Sequence, residues 1–295
     1  MKRRDFLKDI TVGGVLLNVT PGILAQGGTG PDLAVIEGES PALITKEAIK
    51  VLGGMGRFIA KGDKVMIKPN IGWDRKPEQA ACTNPEVVKA LVEMCREAGA
   101  DRVTVMDNPC HPAKRTYVRS GIAKAAKDAG AKVPYPNTHK LKKIPLGGEK
   151  LKEWEVFSEF TEVDKIINVP IAKHHSLSRV TLGMKNWLGT LGGNRNALHQ
   201  GLDHAMVDLA AFFKPVLTVL DAYRIMHRNG PTGGRLSDVR MNKTVVAGVD
   251  AVAVDAMGAT YFDIPPSELL FLKLAQDRKL GTMDLEKLKI EKRTI

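Results

Sequence analysis

Short runs that are apolar at every position alternate along this chain with stretches that have helical spacing, and that alternation limits the folds open to it. "KVMIK" (64–68), "DRVTVMD" (101–107), "VDKIINVPIA" (163–172), "PVLTVLDA" (215–222) and "KTVVAGVD" (243–250) read as strands, with "AKVPY" (131–135) as a short strand start. Runs without a polar side belong in sheets covered on both faces, which calls for parallel strands with helices above and below. "NPEVVKALVEMCREAG" (84–99) supplies one such helix, with Asn84 as N-cap, Pro85 in the first turn and Gly99 as the stop. Others are expected over 117–130, 205–213, 251–261 and 266–279. With 295 residues, 43% of them apolar, the chain can bury a large core. The expectation is an α/β fold with a mainly parallel sheet flanked by helices, one domain over 33–295, either undivided or built as two intimately joined lobes. The lysine-rich stretch near 139–153 is the candidate boundary or insertion.

In such sheets, ligands bind beyond the carboxyl ends of the strands. Five ends carry polar groups here: Lys68 and Asn70; Asp107 and Asn108; Lys173, His174 and His175; Asp221; and Asp250. Their convergence would make a cleft. The segment "IAKHHSLSRVTLGMKNWLGTLGG" (171–193) is the densest contributor. Lys173 and Lys185 suit a carboxylate or phosphate as point charges, although either alone also reads as a surface cation. Asn186 and the glycines Gly189, Gly192 and Gly193 let backbone amides approach a ligand. The segment carries neither a phosphate-loop pattern nor G-x-G-x-x-G, so it is not read as a nucleotide site.

His174, His175, His199 and His204 fall within 31 residues, together with Asp203 and Asp208. That donor set suits a divalent transition metal. No pair has the i, i+4 spacing of a helical zinc motif, and His174 and His175 point to opposite sides of an extended chain. Hydrogen-bonded structural histidines are the alternative. Asp221 ends the most apolar strand, with Gly230, Pro231, Gly233 and Gly234 beyond it; its carboxylate needs a cation, a metal or amide donors, or it caps the next turn. Asp250 is placed as an N-cap, and Asp255 requires a partner such as Lys68 or Lys185. Three groups of site residues are therefore expected. Lys68, His174, Lys185 and Asp221 are the catalytic candidates. Asn70, Asp107, Lys173, Asn186, Gly189, Gly230 and Gly233 bind ligand or cofactor, and His174, His175, His199 and His204 ligate a metal.

The ordered run "KVMIKPN", "CTNPEVVKALVEMCREAGADRVTVMDN", "SGI", "DKIINVPIAKHHSLSRVTLGMKNWLGTL", "LTVLDAYRIMHRNGPTGG" and "VVAGVDAVAVDAMGATYF" resembles the domain of unknown function 362 family. The resemblance extends from about residue 33 to the C-terminus. It implies no established activity; ferredoxin-fused and twin-arginine-exported members imply redox work and a redox partner protein. This chain lacks the cysteine clusters of the fused members. Cys82, Cys95 and Cys110 are far apart and form no C-x-x-C pair, too few for a four-cysteine iron–sulfur cluster. One disulfide with one free thiol stays open, and Cys95 reads as core.

The opening "MKRRDFLKDITVGGVLLNVTPGILAQGG" resembles a twin-arginine export signal over 1–25, either cleaved after Ala25 or kept as a tether. It places the protein in the periplasm or otherwise outside the cytoplasm, with the twin-arginine translocase as a partner and membrane contact only through an uncleaved signal. No later stretch reaches the roughly 18 apolar residues of a membrane span. The net charge of +11 is assigned to a solvated basic loop at 139–155, to anionic ligands or to weak membrane-surface attraction. Aromatic residues at 5% give no stacking platform for single-stranded nucleic acid, so no nucleic-acid partner is expected. Two functions follow: an exported enzyme, metal-assisted or redox, with a cleft for an anionic small molecule, or a non-catalytic metal- or ligand-binding or maturation factor.

Overall fold

The computed structural model describes residues 30–295, so the export-signal segment lies outside the described residues. The chain runs β1 (Leu33–Glu37), α1 (Pro41–Val51), β2 (Lys64–Pro69), α2 (Pro85–Glu97), β3 (Arg102–Val105), α3 (Ala113–Arg119) and α4 (Ile122–Asp128). It continues through β4 (Leu141–Pro145), β5 (Glu153–Phe157), β6 (Lys165–Val169), β7 (Ile171–His175), β8 (Arg179–Thr181), α5 (Gly183–Asn186) and α6 (Leu202–Phe213). It ends with β9 (Leu217–Met226), β10 (Val239–Gly248), α7 (Ala251–Thr260), α8 (Leu270–Asp277) and β11 (Ile290–Thr294).

One nine-stranded sheet has the order β11-β1-β10-β9-β6-β2-β3, with β7 also on β9 and β8 on β7. Its β3-β2-β6-β9 half is parallel, as the unbroken apolar runs require. The β9-β10 and β10-β1 ladders are antiparallel, so the sheet is mixed with mostly parallel strands. Strand periodicity then divides the core between its two faces. Val65, Ile67, Val103 and Val105 meet α1, α2 and α4 through Ile49, Val88, Leu91 and Ile122. Met66 and Ile166 face the opposite side, against Trp187, Leu209 and Phe213, and Leu220 and Val246 pack on Val252, Ala256 and Leu272.

Local signals held where they were local. Asn84 caps α2 by accepting from the Glu86 N–H at 3.0 Å, Asp250 caps α7 by accepting from Val252 and Ala253 N–H groups, and Cys95 is core. Element ends were displaced. The 163–172 run is two strands divided at Pro170, which has no N–H to donate; β6 pairs β9 at Leu217 and Thr218, and β7 resumes on the same strand at Asp221. Lys173, His174 and His175 therefore lie within a strand, not beyond one. Strand β9 reaches Met226 because β10 pairs with it that far, which puts Asp221 in mid-strand. The expected helix over 117–130 divides at Gly121, whose φ of 74° cannot continue a helix. Residues 131–135 make a single bridge, Thr104 to Lys132. Residues 266–279 begin as a one-turn 3-10 helix before α8, and the lysine-rich stretch folds as the antiparallel β4-β5 ribbon.

Candidate functional site

Lys68, next to last in β2, is 1% exposed. Its ammonium donates to Asp107 Oδ1 at 2.6 Å, Pro69 O at 2.9 Å and Asn186 Oδ1 at 3.0 Å, which uses all three hydrogens. Asp107 follows β3, and its second oxygen accepts from the Ile71 N–H at 2.6 Å. Burial pulls Lys68 below the ordinary lysine range, with the Asp107 carboxylate opposing. Gly189 packs directly against this pair: a Cβ there would overlap Asp107 Oδ1 and come within 2.7 Å of the Lys68 nitrogen. Its required smallness therefore serves the ion pair, where a ligand-facing amide was expected.

Asn186, at the end of α5, ties the layer together. Its Oδ1 accepts from Lys68 and from Asn70 Nδ2 at 3.1 Å, while its Nδ2 donates to Lys68 O at 3.1 Å and Asn168 Oδ1 at 2.9 Å. Helix α5 is in turn anchored by Asp255 of α7, which accepts from the Gly183 N–H at 2.6 Å and the Met184 N–H at 2.8 Å. The partner of Asp255 is thus backbone, not Lys68 or Lys185. Burial pushes its carboxyl up to about 7 against those two amides.

Lys173 in β7 is also 1% exposed, and donates to Ala81 O at 2.6 Å and Asn70 Oδ1 at 3.1 Å. Both acceptors are neutral. Burial pushes Lys173 down to about 8. Lys185, half-buried on α5, has no hydrogen-bond or ion-pair partner among the described residues, and burial followed by the Lys173 cation takes it to about 8 as well. The exposed Cys110 lies beyond β3, three residues after Asp107.

The histidines divide. His175 is buried; its Nδ1 accepts from the Leu177 N–H at 3.1 Å and the Ser178 N–H at 3.4 Å, which puts the proton of the neutral ring on Nε2. Burial, then the Lys185 and Lys173 cations, lowers it to about 3. His174 Nδ1 accepts from the Gly230 N–H at 3.2 Å, and a Cβ on Gly230 would overlap the His174 carbonyl. Gly233, at φ 51°, fits over Met226. Gly230 and Gly233 therefore seat a turn on β7 and β9. His199 is exposed and His204 half-buried in the first turn of α6. Among the described residues, no group of three or more His, Cys, Asp and Glu could hold a metal ion. Asp208 is likewise committed elsewhere, to Arg278 and three backbone amides. Asp221 accepts from the Asn84 N–H at 2.7 Å and the Tyr223 N–H at 3.0 Å; burial raises it to about 6. It anchors the start of α2 rather than joining the lysines.

The structure thus brings together Lys68, Asn70, Asp107, Lys173, Lys185 and Asn186, and leaves His199, His204 and Asp221 outside that layer. Asn168 was missed. Its signal was a lone amide in an otherwise apolar strand, which must find a partner when buried. Arg195 was missed too; it donates to Asn108 O and Pro109 O, both at 2.8 Å, and so braces the Cys110 loop. No sequence pattern marked it.

The family model described as Domain of unknown function (DUF362) matches residues 65–260, a range that contains the whole layer. The chain belongs to this family. A thylakoid-associated protein of Synechocystis sp. is 27% identical over 248 residues, covering 79% of this chain and 73% of that protein. The lactate racemase apoprotein of Thermoanaerobacterium thermosaccharolyticum superposes with a TM-score of 0.46 at 10% identity, over 79% of this chain; this chain spans 57% of that one. No described helix is long and apolar enough to cross a membrane.

Proposed function

We propose that this DUF362 protein binds a small anionic molecule at the open side of the lysine layer, where Lys173 and Lys185 supply the attraction and the Lys68–Asp107–Asn186 network holds them in place. One observation carries the reading: of the three lysines only Lys68 touches a carboxylate among the described residues, Asp107, whereas Lys173 and Lys185 feel Asp107 and Asp203 only through space. Charges withdrawn from water are costly unless paired. Near pH 7 both lysines are mainly protonated, so the layer is short of negative charge, and a carboxylate or phosphate would supply it. The Nε2–H of His175, whose ring is kept neutral by burial and then by the same cations, adds an uncharged donor.

The metal-assisted reading draws no support from the described residues, whose histidines form no ligand group. We further propose export by the twin-arginine route, supported by the Arg3–Arg4 pattern and by a relative named for the thylakoid. Isothermal titration at pH 7 with inorganic phosphate and a panel of mono- and dicarboxylates tests the binding. Lys173→Met and Lys185→Gln should each weaken the best anion by roughly tenfold, the effect of losing about 1.4 kcal/mol of charge attraction, while Lys142→Gln on the β4-β5 ribbon leaves it unchanged. Equal affinity in all three variants, or no anion bound by the wild type, would overturn the reading.

A further inference from the structure

We infer that the cavity at the β3 edge of the sheet is a second binding site, one that takes a free α-amino acid with an apolar side chain. Strand β3 ends the sheet order, and alternation divides its side chains between the two faces. Val103 and Val105 pack with α2 and α4, so Arg102 and Thr104 lie on the other face, which Met66 of the neighbouring β2 shares. On that face the chain leaves a cavity of about 510 Å³, within the roughly 300–1,000 Å³ of small-molecule pockets. One wall is the segment 131–134, tied to β3 by the Lys132 N–H on Val103 O at 2.9 Å and the Val105 N–H on Lys132 O at 2.8 Å. Another is the one-turn 3-10 helix Ser158–Phe160, which buries Ser158 and Phe160 and sets Glu159 in the lining.

Two opposite charges line this cavity without meeting. Arg102 and Glu159 are both half-buried, and Arg102 Nε and Glu159 Oε2 are shut off from solvent with no hydrogen-bond partner among the described residues. No ion pair joins the two side chains, so each bears the cost of lost water without the return of a contact. A ligand that relieves both must offer a carboxylate at one end and a cation at the other. The Nε–H is one tine of the guanidinium fork that grips a carboxylate, and a carboxylate oxygen such as Glu159 Oε2 accepts from an ammonium. A plain anion would answer Arg102 and leave the Glu159 oxygen bare; a plain amine would do the reverse. Met66, Val163 and Val133 supply apolar surface for the side chain. The other charged groups in the lining are Glu162, spent on Lys142 at 2.7 Å, and the exposed Lys127 and Lys132, which add attraction for the carboxylate. The site is separate from the lysine layer. Lys68 and Asp107 lie at the carboxyl ends of β2 and β3, whereas Arg102 opens β3 and Val163 precedes β6.

Isothermal titration of the whole protein at pH 7 with leucine, 4-methylpentanoate and 3-methylbutylamine tests the inference. The second compound is leucine without its ammonium, and the third is leucine without its carboxylate. Leucine should bind more tightly than either by roughly tenfold or more, the effect of one charged contact. Arg102→Met should weaken leucine by a similar factor. Glu159→Gln should make leucine and 4-methylpentanoate bind alike, and Lys185→Gln in the lysine layer should leave leucine unchanged. The comparison of the three compounds on the wild type depends on no variant's folding. Equal affinity of the wild type for leucine and 4-methylpentanoate, or no binding of leucine, overturns the inference. So does leucine binding that survives Arg102→Met and is lost in Lys185→Gln, which would assign the ligand to the lysine layer.

Discussion

Asp107 is the residue on which the layer balances. Without its carboxylate, Lys68 would keep a buried ammonium facing only Asn186 and the Pro69 carbonyl. Asp107→Asn should therefore lower folding stability by about 3–5 kcal/mol in a denaturant titration, the range for breaking a buried pair from one side. The double variant Lys68→Met with Asp107→Leu should cost less, since it strands no charge. A pH dependence belongs at this scale too. Lys173 and Lys185 sit near 8 in the folded protein, against about 10.4 when unfolded. An anion binds their protonated forms, so its affinity should fall as pH rises through about 8; titrations at pH 7 and pH 9 check this. Stability has the opposite sign. Between about 8 and 10.4 the unfolded chain holds more protons than the folded one, so these two groups make the fold gain stability with rising pH in that window.

At the scale of elements, carboxylates act as fasteners. Asp221 secures the entry to α2, Asp255 the start of α5, and Asp250 the start of α7. Asp221→Ala would leave the Asn84 and Tyr223 amides unsatisfied in the core, at about 2 kcal/mol in thermal or chemical denaturation, while anion affinity stays within about twofold. Equal loss of affinity would instead return Asp221 to the site. This contrast also marks what the sequence could disclose. Asn84 and Asp250 were legible as caps because a cap is settled by its own next three residues. The end of β9 was not, because pairing with β10 decides it, and those residues lie far along the chain. Lys68, Asp107 and Lys173 could be assigned to one region from strand-end logic. Their actual partners, Asn186 and Ala81, depend on how α5 and the 80–83 loop pack, and residue type carries no trace of that. The four histidines misled by nearness in sequence: β7 holds two, the 3-10 helix Arg195–His199 the third and α6 the fourth, and backbone amides already occupy the Nδ1 atoms of two.

For the molecule as a whole, the +11 charge accords with the proposed anion site, and the Arg3–Arg4 pattern is the basis of the proposed export. A reporter fused behind residues 1–28 should reach the periplasm of a bacterium with an intact twin-arginine translocase, and Arg3→Lys with Arg4→Lys should retain it in the cytoplasm; secretion of the double variant would disprove that route. The family match, residues 65–260, contains the lysine layer and the strands that carry it, while β1 and β11 at one edge of the sheet lie outside it. One consequence follows from where the layer is mounted. Lys68 and Lys173 rise from paired strands and Asn186 from a helix buckled down by Asp255, whereas Cys110 and Arg195 stand on connecting segments. Exchanging those segments between homologous proteins would thus re-tailor which molecules are admitted, much as a lock's faceplate can be changed around an unaltered bolt, and chimeras cut there should keep the same appetite for negative charge.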